Sequence, residues 1–261
     1  MENGIKAKLA AGDTVLCLCV RMARTVDIGA IAAASGYDSL YVDLEHSAIS
    51  IDAAAQICAA APGFGLTPLV RVPEGDLGMA SRLLDNGAQG VILPHVETAD
   101  RARDLVDASL FPPEGTRSAA GSTVHLGFER MPLSEIGERL NAMTLSTVMI
   151  ETEKGVANAD EIAAVPGIDM VMVGTNDLSS AMGVPGQLDA PAMLEACRAV
   201  ASACVRHDKV FAIGGVRGDT ELVKTFAQMG ARFFIAGMDA SYLQAAATAD
   251  VEALHAALAQ I

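Results

Sequence analysis

One pattern limits what this chain can become: a short apolar run followed by a helix-forming stretch, repeated eight times. Residues 14–20 are β-branched and apolar, and residues 28–35 are alanine-rich and stopped by Gly36. The unit returns as 39–43 with 51–60, 67–72 with 78–86, and 90–93 with 98–108. After a helical stretch at 127–141 it resumes as 145–150 with 157–164, 170–173 with 191–206, 210–213 with 220–229, and 233–236 with 242–259. Continuous apolar strands separated by helices predict a parallel sheet covered on both faces. Eight such units close an α/β barrel of the (β/α)8 TIM type, which takes about 250 residues. Residues 1–261 therefore read as a single barrel domain, with 51% hydrophobic residues to fill its core. An open doubly wound sheet is the alternative. Against it, no G-x-G-x-x-G follows the first strand and no P-loop pattern occurs.

A parallel barrel carries its chemistry at the carboxyl ends of its strands, so the residues there are the candidates. Glu151 ends one strand, and Gly174, Thr175, Asn176 and Asp177 end the next. If these strands are neighbours, Glu151 and Asp177 meet at one rim as hard oxygen ligands, which suit Mg²⁺ or Mn²⁺ better than zinc. The segment 174–177 also opens a helix at 177–182, whose free N–H groups suit a substrate carboxylate; an ordinary Asn/Asp cap is the plainer reading. Asp43, Glu45 and His46 follow the second strand. A carboxylate beside a histidine fixes its tautomer and raises its basicity, as a general base needs, although capping or ion pairing explains the same cluster. Arg71 ends the third strand, where its planar fork fits a carboxylate or an enolate oxygen. His95 follows the fourth strand within reach of substrate or water, a position that a structural histidine also occupies. The stretch 111–126, with Pro112, Pro113, Gly115 and Gly121, is long for an αβ connection and is a candidate functional loop.

Composition removes several classes of function. A formal net charge of −14 repels nucleic acid and anionic membrane surfaces. No apolar run approaches the roughly 20 residues needed to span a bilayer, and residues 1–13 lack the apolar stretch of a signal peptide. The five cysteines, an odd number lying mostly in apolar segments, read as reduced thiols, so a cytoplasmic protein is expected. None of Lys6, Lys8, Lys154, Lys209 and Lys224 lies within a strand, which disfavours a Schiff-base aldolase. There is no G-x-S-x-G elbow, and no cysteine stands beside a rim histidine.

With these residues in place, the chain resembles the HpcH/HpaI family of class II, metal-dependent pyruvate aldolases of the phosphoenolpyruvate/pyruvate barrel superfamily. The resemblance rests on GYDSLYVDLEHS (36–47), LVRVP (69–73), LLDNGAQGVILPHV (83–96), FPPEGTR (111–117), IETEKGVAN (150–158) and GTNDLSSAMG (174–183), in that order and spacing. It implies that Glu151 and Asp177 hold a divalent cation, Mg²⁺ or Mn²⁺, with Co²⁺ also admissible. It implies that His46 is the base, with Asp43 orienting it, and that Arg71 contacts the pyruvate or enolate oxygens. Gly174 and Asn176 match the backbone segment that holds the pyruvate carboxylate. Asp85 matches a position near the subunit contacts and the site, and Arg117 is the arginine of the PPxGxR motif. Met149 stands where Gln is common, Ser118 where Gly is common, and Thr175 and Asn176 where some members carry Pro-Ala; these departures bear on aldehyde preference and on the water beside the metal. The implied reaction is reversible cleavage of a 4-hydroxy-2-oxo acid to pyruvate or hydroxypyruvate plus an aldehyde. A citrate-lyase-like or citrate-synthesising reaction, or a keto-acid-binding barrel that has lost turnover, are the alternatives. The implied assembly is a homo-hexamer, a trimer of dimers in which the last helix, 242–259, packs on a neighbour's barrel.

Overall fold

A computed structural model describes residues 3–119, 121 and 123–261. Among them are eight strands: β1 Val15–Val20, β2 Ser39–Asp43, β3 Thr67–Arg71, β4 Gly90–Leu93, β5 Leu145–Ile150, β6 Met170–Gly174, β7 Val210–Gly214 and β8 Phe233–Met238. They close into a parallel barrel in chain order, β8 pairing with β1. The expected (β/α)8 barrel is the observed one, and the open sheet is excluded.

Side chains along each strand alternate between two apolar layers. Leu18, Val20, Leu40, Val42, Val70, Val148, Ile150, Val171 and Val173 face outward and pack beneath the helices. Cys17, Cys19, Tyr41, Leu69, Met149, Met170, Met172 and Ala212 face inward and fill the barrel. Continuing the inward series by two residues past the last apolar member reaches Arg21, Asp43, Arg71, Glu151, Gly174 and Gly214. The period of two that builds the core thus delivers the chemistry to the mouth.

The opposite mouth is plugged by a short helix, Gly4–Ala10, which the hydrophobic pattern did not single out. Its Ile5 and Leu9 join the inner layer. Asn3 caps it by accepting from the Lys6 N–H, while its Nδ2 donates to the carbonyls of Gln89 and Met143 at 3.2 and 2.7 Å. Two helices also differ from expectation. The one expected at 157–164 starts earlier, at Glu153–Ala157, because the Thr152 hydroxyl caps it. It then breaks at Asn158, whose side chain donates to the Glu97 carbonyl, before resuming as Ala159–Ala163. The helical stretch expected from 127 starts only at Leu133–Met143, after Pro132.

The last helix, Asp239–Leu258, is 20 residues long with no buried residue, and Tyr242, Leu243, Val251, Leu254 and Leu258 are exposed on it. Only its first turns touch the barrel, where the Tyr242 and Tyr37 hydroxyls meet at 2.5 Å. Beside it an apolar groove of about 820 Å³ runs over the outside of β1, floored by Leu16, Leu18, Ile28 and Ile31. No helix among the described residues is long and apolar enough to cross a membrane. The five cysteines are free and buried, and burial pushes the thiols of Cys19, Cys58, Cys197 and Cys204 up to about 12, so these thiols stay protonated.

Candidate active site

Strand register brings the mouth residues together. Asp43 lies opposite Arg71 across the β2–β3 ladder, and Ile150 lies opposite Val173, so Glu151 emerges beside Gly174. The resulting cavity of about 110 Å³ is lined by Arg21, Asp43, His46, Arg71, Glu151, Asp177 and Arg217, among others.

On the β2–β3 side, Arg71 forms a two-pronged pair with Asp43: Nε donates to Oδ1 at 3.0 Å and Nη2 to Oδ2 at 2.7 Å. The third nitrogen, Nη1, sits 3.0 Å from Glu45 Oε2 without an aligned hydrogen bond. Asp43 also has Arg21 Nε at 3.3 Å and accepts the main-chain N–H groups of Glu45 and His46. Burial alone would raise the Asp43 pKa. The Arg71 fork outweighs it and holds the carboxyl below its ordinary value. Asp43 reaches His46 through the main-chain N–H at 3.2 Å. Two guanidiniums occupy its oxygens, so it fixes the His46 main chain and leaves the ring exposed, with Glu45 Oε2 at 3.6 Å as the ring's carboxylate neighbour.

His95 has a larger part than its sequence position suggested. Its backbone is left-handed, φ 54°, a conformation uncommon outside glycine and one that gathers at functional sites. This turn aims its N–H at Glu151 Oε2, 2.9 Å away, and its ring spans two acids, Nδ1 lying 3.3 Å from Glu151 and Nε2 3.1 Å from Glu45 Oε1.

Burial weighs on the Glu151 carboxyl. It is 2% exposed, and burial pushes its pKa up to about 7. The His95 N–H opposes that rise, while the charge of Asp177 adds to it. Space is also tight: a Cβ on Gly174 would fall 2.5 Å from Glu151 Oε1, so glycine there makes room for the carboxylate. The helix that follows begins at Thr175, two residues earlier than expected, and runs Thr175–Ala181. The Thr175 side chain is buried and donates to the Gly214 carbonyl at 2.7 Å, tying β6 to β7, whereas Asn176 and Asp177 are exposed at the cavity.

Asp85 and Arg117 do not join this cavity. They pair with each other at 2.6 Å where the helix Leu77–Asp85 ends, just ahead of β4 and so at the plugged mouth. There the Arg117 guanidinium stacks 4.5 Å from the Phe111 ring. Arg21 and Arg217 were missed by the sequence reading. The alternation of β1 points to Arg21, but Arg217 lies in a glycine-rich loop after β7 with no periodicity to mark it.

Among the described residues no group of three or more His, Cys, Asp and Glu side chains makes a metal site by itself. The mouth nonetheless fits a divalent cation that takes its remaining ligands from substrate and water. Its two carboxylates are hard oxygen donors, and Mg²⁺-type ions keep several waters. Charge points the same way. With Glu151 ionised, Asp43, Glu45, Glu151 and Asp177 exceed Arg21, Arg71 and Arg217 by one negative charge. An anion is repelled by that balance and attracted once two positive charges are added.

Fold and mouth together are those of an α/β-barrel enzyme with a charged cavity at the carboxyl ends of its strands. Residues 22–246 match the HpcH/HpaI aldolase/citrate lyase family, to which the chain belongs. It is 38% identical over 245 residues to the 4-hydroxy-4-methyl-2-oxoglutarate aldolase of Hapsidospora irregularis, covering 93% of this chain and 91% of that one. It is 35% identical over 251 residues to the hydroxypyruvate/pyruvate aldolase of Sagittula stellata, covering 95% and 96%. The crystal structure of an HpcH/HpaI aldolase from Desulfitobacterium hafniense superposes with a TM-score of 0.90 at 31% identity, covering 96% of each chain.

The Glu151 shift has a measurable consequence. Unfolded, the group ionises near 4.5; folded, near 7. Between those values the metal-free folded state holds the extra proton, so stability falls as pH rises. Glu151→Gln removes that slope. The Tm advantage of the variant over the metal-free wild type is expected to widen from pH 4.5 to pH 7 and level off above; parallel curves would contradict the burial of an ionisable Glu151.

Proposed function

We propose that this aldolase reversibly cleaves 4-hydroxy-2-oxo acids between C3 and C4, giving pyruvate or hydroxypyruvate and a carbonyl product, with a divalent cation held by Glu151 and Asp177. The observation that carries the reading is Glu151, buried beside a second carboxylate in a cavity that also contains an arginine fork. A buried carboxylate beside another negative charge is costly to ionise unless a cation compensates it. When bound, the cation withdraws electron density from the keto oxygen of the substrate and so lowers the energy of the enolate.

The remaining work falls to side chains and main chain. Arg71 commits two of its five N–H bonds to Asp43, and the rest, on Nη1 beside Glu45 and the Met149 sulfur and on Nη2, suit the oxygens of the 2-oxo acid. Asp43 holds the guanidinium plane in one orientation, which matters because the developing negative charge needs donors already in place. The first-turn N–H groups of Thr175–Ala181 have no acceptor within their own helix and suit the substrate carboxylate. His46, with an exposed imidazole at the cavity, takes the proton of the C4 hydroxyl as the C3–C4 bond breaks and returns one to C3. His95 stays on Glu151 and Glu45 and keeps the two acids apart.

Mg²⁺, Mn²⁺ and Co²⁺ all suit an oxygen-rich site of this kind. The buried, unpaired cysteines favour a reducing, cytoplasmic setting. The exposed last helix and the apolar groove beside it favour a homo-oligomer, a hexamer by family resemblance, in which that helix roofs a neighbour's groove. Light scattering is then expected to give a multiple of the 26.9 kDa chain, and the double variant Leu254→Glu, Leu258→Glu a smaller species; a monomeric wild type would remove this part of the reading.

The chemistry itself is tested without choosing a carbonyl partner. In D2O with Mg²⁺ or Mn²⁺, the enzyme is expected to exchange the methyl protons of pyruvate, followed by NMR, and to stop on addition of EDTA. Exchange at full rate in metal-free enzyme would overturn the reading. A requirement for an acyl-CoA would move the reaction to the citrate side of the family.

A further inference from the structure

Three guanidiniums reach the mouth, and they are not equivalent. Arg71 is bound to Asp43 and Glu45, and Arg21 leans on Asp43 while its Nη2 donates to the His46 carbonyl. Arg217 lines the same cavity but has no carboxylate partner among the described residues. Its contacts are neutral: the Ser241 hydroxyl at 3.0 Å and the Met238 sulfur at 3.8 Å. It is exposed on the loop after β7, which turns at Gly215 with φ 93° and at Gly218 with φ 73°. An uncompensated arginine facing a cavity in a protein of net charge −14 is an unusual placement, because acidic neighbours are plentiful.

Its location around the barrel gives it a direction. Arg71 ends β3 and Arg217 follows β7, and four steps around an eight-stranded ring is the far side. Glu151 and Asp177, after β5 and β6, lie between them. A substrate whose 2-oxo acid end sits against Arg71 and the two acids therefore extends its other end toward Arg217. Loops after strands 7 and 8 are a recurring place for anion binding in such barrels. With Arg217 left out of the count, a bound divalent cation only neutralises the mouth; with it, the mouth carries a surplus positive charge for a second anionic group. A cavity of about 110 Å³ suits a short chain.

Resting on the function proposed above, we infer that Arg217 determines specificity by pairing with a second carboxylate, carried on C4 of the 4-hydroxy-2-oxo acid. The departing half is then itself a 2-oxo acid. In that cleavage the C3–C4 bond breaks and its electron pair stays with C3 as the enolate of the first 2-oxo acid. C4 keeps its oxygen, gives up the hydroxyl proton and leaves as the second 2-oxo acid, and the proton ends on C3, with no net oxidation or reduction. Arg217 touches the carboxylate, not the reacting bond, and so acts on which substrate is taken. The relative from Hapsidospora irregularis is named for a substrate of this class.

The test compares two substrates that differ at one group: 4-hydroxy-4-methyl-2-oxoglutarate, and 4-hydroxy-4-methyl-2-oxopentanoate, in which a methyl replaces the second carboxylate. The metal-loaded wild type is expected to prefer the diacid in kcat/KM. In Arg217→Ala that preference is expected to fall about 100-fold, with the loss mainly in KM for the diacid, as removal of a charged binding contact requires. Arg217→Lys restores part of it. An equal loss on both substrates would show a structural residue, and an undiminished preference would show that the diacid end lies elsewhere; either overturns the inference. Proton exchange into pyruvate by the wild type reports the underlying reading separately: its absence sinks the aldolase chemistry, whereas its presence with an unchanged substrate ratio sinks only the role of Arg217.

Discussion

A buried carboxylate that also feels the charge of a second one is costly to ionise without help, and much of this mouth is arranged around Glu151. Glu151 is buried, feels Asp177, and is allowed to approach only because its neighbour on β6 is glycine. The His95 N–H and ring offset part of the cost from one side. What remains is met by protonation near neutral pH or by a cation, and only the cation leaves the oxygens free to act as ligands. Arrangements of this kind sacrifice stability in the empty state for affinity in the loaded one.

The other side of the mouth solves a different problem. Arg71 must hold its plane while leaving donors free, and a buried arginine needs anionic partners to be tolerated at all. Asp43 answers both needs, because strand register sets it directly across from Arg71. Its grip also extends to Arg21 and to the main chain of Glu45 and His46, so one carboxylate links β1, β2 and β3. His46 then stands at the cavity edge by virtue of its backbone, with its ring exposed.

Much of this was readable in the chain because strand periodicity acts on both core and site. Apolar runs alternating with helix-forming stretches marked all eight strands, and residues that follow most of these runs line the mouth. The plugging helix Gly4–Ala10 was missed because it is too short for its Ile5 and Leu9 to make a periodic signal. The Arg71 partner of Asp43 was not legible because it depends on the ladder that sets the two side by side, not on adjacency in sequence. The reach of His95 depends on a left-handed backbone that no pattern announces. Asp85 and Arg117 fell to the opposite mouth because the helix after a strand runs back down the barrel, carrying its last residues away from the rim.

A direct measurement is calorimetric titration of the metal-free protein with Mn²⁺ at pH 8, above the Glu151 pKa, with Glu151→Gln and Asp177→Asn alongside. One Mn²⁺ per chain, with binding lost in both variants while their folds remain intact, is the expected result. Unchanged Mn²⁺ affinity in either variant would contradict the pairing of these two carboxylates around one cation.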